Sequence, residues 1–300
     1  MLKRTLQAMT VGAAILAAGG AGAEPLVLRG AGAVYADGKG EPLRNPQGVA
    51  CTASGRVVAA DSGNGQLLTF QFKGGKLEPG PAIKFPELGR PVRVQIDSRG
   101  NPLSLDGQGR RIVKVDERGA FGGYVQPKRV PLENGFFPVS FKLDAADGIA
   151  VLDVASQRVV LLDASGAFVR QIAWPKGAHI ADVAVGAKGE LLAIDSNAAQ
   201  LLLAAKGASG FTPLGRSLRD SMSYPTDLTV TPQGIIVVVD GHGNGLVLLG
   251  PDGSYLGRRL AIGRNEGFVY YPAQVCVDAN DDVFVADRGN QRLQAFTEVK

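Results

Sequence analysis

The chain has 300 residues, 45% of them apolar and 6% aromatic, and a formal net charge of +4. That balance is too small to point to a nucleic-acid partner. With 41 glycines, one tryptophan and two cysteines, the composition suits many short strands joined by turns rather than long helices or a cysteine-rich scaffold.

The N-terminus reads as a targeting segment. Lys3 and Arg4 precede an apolar run from Val11 to Ala18, and Ala21-Gly22-Ala23 supplies a small-residue cleavage pattern. Residues 1–23 are therefore expected to be a signal peptide, because the apolar run is too short to span a bilayer. Cleavage removes Lys3 and Arg4, so the net charge falls by two, to +2. Residues 24–300 are expected to form one monomeric domain, periplasmic or secreted, with no membrane insertion.

From residue 45 onward the sequence repeats. Asp61, Asp106, Asp153, Asp195, Asp240 and Asp287 follow one another at intervals of 42 to 47 residues. Fifteen positions before each lies Pro46, Pro91, Pro138, Ile180, Pro225 or Pro272, and six positions after each lies an aliphatic residue. Each unit reads as a strand opened by proline, a Gly or Asp turn, a second strand ending in the Asp, and a third strand such as "RVVLLD". A short turn such as "ASGA" leads to a fourth. Four strands per unit, six times over, is the pattern of an all-β, six-bladed β-propeller with four-stranded antiparallel blades. The last unit stops after three strands, so the fourth is expected from "PLVLRGAGAVYA" at 25–36. An N-terminal strand would then close the ring and cover the free edge.

The six aspartates are expected to be structural, with Asp61 and Asp287 accepting hydrogen bonds from the backbone of their own turns. Gly289 and Asn290 are expected to supply the unusual backbone conformations of the last turn. Cys51 lies five residues after Pro46 and Cys276 four after Pro272. That offset points them to opposite faces of neighbouring inner strands, which permits a disulfide; the alternative is two buried small apolar residues.

Positions two after each anchor should approach the central channel: Gly48, Arg93, Ser140, Asp182, Asp227 and Gln274. Two readings stand for the neighbouring carboxylates Asp182 and Asp227. They are candidates to hold a divalent cation, calcium or zinc, or to act as acid and base. Alternatively they line a water-filled channel with one of them paired to Arg93. The loops on the same face carry a surplus of Lys and Arg with aromatics among them. Arg93, Ser140, Tyr224, Tyr271, Gln274 and Arg288 are the candidate ligand or partner residues, with Arg292 a further one. Such a surface suits a periplasmic or extracellular protein, a polysaccharide or another anionic ligand.

The stretches "YPAQVCVDANDDVFVADRGNQRLQAF" and "NPQGVACTASGRVVAADSGNGQLLTF" resemble NHL repeats. The resemblance implies a propeller and pairing of some loop arginines with the turn aspartates. It also brings enzyme families into view. Peptide-amidating lyases use several zinc-binding histidines, whereas this chain has only His179 and His242. Gluconolactonase-like and strictosidine-synthase-like propellers imply channel ligands that Asp182 and Asp227 match, yet no Glu starts an inner strand. The expected function is therefore a non-enzymatic binding scaffold without a cofactor, with a metal-dependent hydrolase or lactonase as the alternative.

Overall fold

The computed structural model describes residues 27–131 and 135–298, so the expected signal peptide at 1–23 lies outside the described residues. Six four-stranded antiparallel sheets are arranged as the blades of a propeller. Blade 1 contains Pro46–Cys51, Arg56–Asp61, Gln66–Lys73 and Lys76–Ile83, from the axis outward. Blades 2 to 5 repeat this order, with inner strands Pro91–Ile96, Pro138–Leu143, Ile180–Val185 and Pro225–Val230. Blade 6 takes Val275–Val277, Val283–Asp287 and Arg292–Glu298 from the C-terminal end of the chain, and its outer strand is Leu28–Val34. The N-terminal strand pairs with the last strand from Leu28↔Glu298 to Val34↔Leu293, closing the ring as expected. Among the described residues the helical pieces are two 3-10 turns, Pro86–Leu88 and Arg288–Asn290.

Sandwiching explains the burial pattern. A second strand lies between two neighbouring blades, so both its faces are covered and polar alternation disappears. "AVLD", "LAID", "VVVD" and "FVAD" are buried at every residue, whereas outer strands such as Lys76–Ile83 are mostly exposed. The core is thus a set of wedges between blades. In one, Leu192 and Ile194 of blade 4 meet Leu228, Ile236 and Val238 of blade 5.

The aspartates do more than shape their own turns. Asp106, Asp153, Asp195 and Asp240 accept from backbone N–H groups two or three residues on, at Gln108, Ala155, Asn197 and Gly243. In all six blades the carboxylate also takes an N–H from the loop entering the inner strand, as in Arg44 N to Asp61 (2.7 Å) and Tyr270 N to Asp287 (2.7 Å). Asp61 and Asp287 depart from expectation. Their remaining partners are side chains: Asn64 and Gln66 at Asp61, and Asn290, Arg292 and Gln294 at Asp287.

The left-handed residue of each of these turns is the fourth after the Asp: Gly65, Arg110, Gln157, Ala199, Asn244 or Gln291, with φ between 47° and 63°. Gln291 therefore adopts the conformation expected of Gly289 and Asn290. Gly289 is required for space, because a Cβ there would lie 2.4 Å from the Tyr270 carbonyl oxygen.

Cys51 and Cys276 form a disulfide across 225 residues, with Cα atoms 5.9 Å apart, joining the inner strands of blades 1 and 6. Strand pairing and a covalent bond thus fasten the same seam.

Candidate functional site

Five inner strands carry the same irregularity, a register shift between the anchor residue and the second residue after it. Such a bulge re-aims side chains. Here the second position supplies the polar floor of the channel. Ser140, Asp182, Asp227 and Gln274 are all buried, and Arg93 is half-buried. Gly48 completes the ring, and a Cβ there would lie 2.9 Å from Ala60 Cβ and 3.2 Å from both Arg93 Cα and Gln274 Oε1.

The partner of the two aspartates is a residue the sequence reading missed. Lys142 Nζ sits 2.8 Å from Asp182 Oδ2 and 2.9 Å from Asp227 Oδ1, and donates to the Leu228 carbonyl at 2.9 Å. Ser140 Oγ donates to Asp182 Oδ1. Neither carboxylate pairs directly with Arg93, whose guanidinium reaches the carbonyls of Gln47 (3.5 Å) and Thr226 (3.2 Å) instead. Arg93 acts on the aspartates only through space. A signal for Lys142 existed. Four residues after the anchors stand Ala50, Gln95, Lys142, Ala184, Thr229 and Cys276, one cation among uncharged residues. A strand period of two returns that position to the face of the second.

The floor also links blades in one direction. Leu228 N donates to Asp182 Oδ2 at 3.3 Å, Val275 N to Asp227 Oδ2 at 3.0 Å, and Val49 N to Gln274 Oε1 at 3.1 Å. Each of these side chains caps the inner strand of the next blade.

Burial opposes ionisation of both carboxylates, and their mutual repulsion separates them. Against that burial, the Lys142 ammonium holds Asp182 down at about 2. Burial, with the Asp182 charge beside it, pushes Asp227 up to about 7 despite the same ammonium. Burial disfavours the charge on Lys142, but the two carboxylates outweigh it and raise its pKa.

Chemically, the floor is a closed ion cluster. The point between the carboxylates where a divalent cation would bind is taken by an ammonium. Asp182 and Asp227 therefore do not fit the calcium or zinc role considered for them, since a second cation would face Lys142 at contact distance. Among the described residues no group of three or more His, Cys, Asp or Glu side chains is placed to hold a metal ion.

At the end of the channel where the loops enter, Tyr224, His242 and Tyr271 come together. Tyr224 and His242 stack at 4.8 Å with planes 21° apart, and Tyr271 meets His242 edge-on at 5.9 Å. Tyr270 packs on Tyr271 at 4.6 Å. Half-buried Arg288 opens the turn at the same rim. One sequence candidate leaves the surface. Arg292 is fully buried, with Nε 2.7 Å from Asp287, and so does not face a ligand. Arg158 is held by Asp153 at 2.9 Å. Arg111 lies 3.7 Å from Asp106, which bears out the implied pairing of arginines with the turn aspartates. Phe137 lies beneath Arg110 at 4.4 Å, at the loops of blades 2 and 3.

With this architecture the class is a six-bladed β-propeller, and residues 269–296 match the NHL repeat family. The chain is 32% identical over 138 residues to NHL repeat-containing protein 3 of Mus musculus, a match covering 44% of this chain and 38% of that protein. Among solved structures, a streptogramin B lyase aligns with a TM-score of 0.63 at 14% identity, covering 91% of this chain and 98% of that one. A gluconolactonase from Xanthomonas campestris aligns with a TM-score of 0.65 at 12% identity, covering 85% and 86%. At these identities the two enzymes share the fold with this chain.

Proposed function

We propose that the chain is an exported, non-enzymatic binding propeller that engages an anionic ligand at the loop-side mouth of its channel. The observation that carries this reading is Lys142 Nζ between Asp182 and Asp227, at 2.8 and 2.9 Å. The ammonium closes the carboxylate pair to metal-assisted hydrolysis and leaves Arg93, on the loop side of the cluster, as the cation open to a ligand. The Cys51–Cys276 bond supports export, because such bonds persist in oxidising compartments. The likeness to a gluconolactonase supports a propeller, and a metal-assisted reaction at Asp182 and Asp227 would need the position that Lys142 fills.

The test joins metal analysis of the purified protein to binding on an array of neutral and acidic saccharides and peptides. Acidic members are expected to bind, and Arg93→Glu with Arg288→Glu to abolish the binding while the fold is retained. Stoichiometric calcium or zinc that disappears in Asp227→Ala would overturn the reading, as would an array with no acidic binder.

A further inference from the structure

Arg93 is the under-used charge of the channel. Its guanidinium offers five N–H donors. Two reach carbonyls, at 3.5 and 3.2 Å, and Nε is buried without a protein partner. A planar fork with free donors matches a carboxylate, which it binds bidentately. The other charges of the floor, Lys142, Asp182 and Asp227, are buried and paired with one another.

A run of contacts leads from Arg93 towards the rim. Thr226, whose carbonyl Arg93 touches, has a buried Oγ1 that likewise lacks a protein partner. That hydroxyl lies 3.1 Å from where a Cβ on Gly241 would stand, and Gly241 leads into His242. Tyr224 stands two residues before Thr226 and stacks on His242. Tyr271 is 37% exposed and sits in the left-handed region at φ 47°, held there by its N–H to Asn244 Oδ1 at 2.8 Å. That conformation is strained for a tyrosine. A tyrosine held exposed in this way adds little to the core.

We propose that the channel mouth binds a uronic-acid-type saccharide, its carboxylate on Arg93 and its ring face against the Tyr224–His242–Tyr271 cluster. This rests on reading the chain as a binding propeller and names the ligand class. A uronic acid carries its carboxylate directly on a rigid ring that has an apolar C–H face and hydroxyl edges. The mouth offers the counterpart of the carboxylate and of the apolar face: a guanidinium and flat aromatic faces. An acidic peptide supplies the anion on a flexible side chain and leaves the rings unused.

Calorimetric titration of the full chain with di-galacturonate, maltose and tetra-glutamate tests this. Di-galacturonate is expected to bind, with at least a tenfold loss in Arg93→Gln and in Tyr271→Ala and a marked weakening at raised salt. Tyr271→Ala guards against misfolding, since its side chain is at the rim, and each variant's near-ultraviolet circular dichroism is compared with that of the parent. Maltose binding equally well would remove Arg93 from the site. Binding of tetra-glutamate in preference, unaffected by Tyr271→Ala, would replace the saccharide with an acidic peptide while leaving the binding-propeller reading intact. No binding of di-galacturonate at millimolar concentration would overturn the inference.

Discussion

Replacing Lys142 with methionine keeps an unbranched apolar stem, one atom shorter, and removes the ammonium. Three oxygens, on Asp182, Asp227 and Leu228, lose a donor within 2.9 Å, and two fully buried carboxylates are left facing each other. Breaking a buried pair by removing one partner costs about 3–5 kcal/mol, because the remaining charge is uncompensated. A proton limits that loss. With Asp227 already raised to about 7, its carboxyl is neutral for most of the population at pH 5 and charged for most at pH 8. The cost of K142M is therefore expected near the top of that range at pH 8 and to shrink at pH 5. In an Asp227→Asn background K142M should cost less still, since one carboxylate no longer ionises. Urea unfolding followed by the fluorescence of Trp174, itself buried, gives the four stabilities of this cycle. A change below about 1 kcal/mol at pH 8, or a cost untouched by Asp227→Asn, would show that the cluster is not the closed ion pair described here.

Two further predictions follow from the same floor and from the seam. Asp227 holds its proton to about pH 7 in the folded state, against about 3.8 for an ordinary aspartate, so stability should fall as pH rises from about 4 to 7. Asp182, held at about 2, acts oppositely and loses its contribution only as pH falls from about 4 towards 2. Asp282, raised by burial and by Asp278 and Asp281 to about 6, has the same sign as Asp227, so the difference between wild type and Asp227→Asn isolates the channel. Equal slopes in both proteins would contradict the assignment. At the seam, a bond closing 225 residues stabilises by about 5 kcal/mol in the chain-entropy account. Reduction with dithiothreitol should lower Tm by roughly 10 °C or more. Cys51→Ala with Cys276→Ala should melt at the reduced protein's temperature and ignore the reductant; a double variant melting with the oxidised protein would remove the bond from the stability of the ring.

How much of this was legible depended on what repeats. The strand layout recurs six times, so proline anchors, turn aspartates and aliphatic positions reinforce one another, and the blade count and ring closure followed. The offset between Cys51 and Cys276 permitted the bond that the seam contains. The floor was half legible. Position two after each anchor identified its members, but the partner of the aspartates occurs in one blade alone, and repetition gives no help with a singular residue. Lys142 reaches from blade 3 to both blade 4 and blade 5, a contact between residues 85 apart that no local pattern encodes. Arg292 was misplaced for the opposite reason. On an isolated turn it would reach solvent, but in the assembled blade it is enclosed by Tyr35 from the N-terminal strand region and by the carbonyls of Arg264, Asn265 and Phe268.

The break in symmetry is what gives the channel a direction. In blades 4, 5 and 6 the floor side chain accepts the N–H of the next blade's inner strand, so Asp182, Asp227 and Gln274 are consumed in holding the ring together. That relay cannot continue through blades 1 and 2. Gly48 has no side chain, and a guanidinium at position 93 cannot accept a hydrogen bond. Blade 3 turns inward instead, with Ser140 and Lys142 both directed to the aspartates. Gly48 has a positive role in this arrangement, since its missing Cβ leaves the space beside Arg93 Cα and Gln274 Oε1. One side of the channel is thus locked by acceptors that satisfy backbone and ammonium, and the other retains a donor-rich cation with a buried, unpartnered Nε. A floor built of six equivalent acceptors would be a structural plug. Placing glycine and arginine where two acceptors would stand interrupts that plug and leaves a guanidinium there that the ring does not consume.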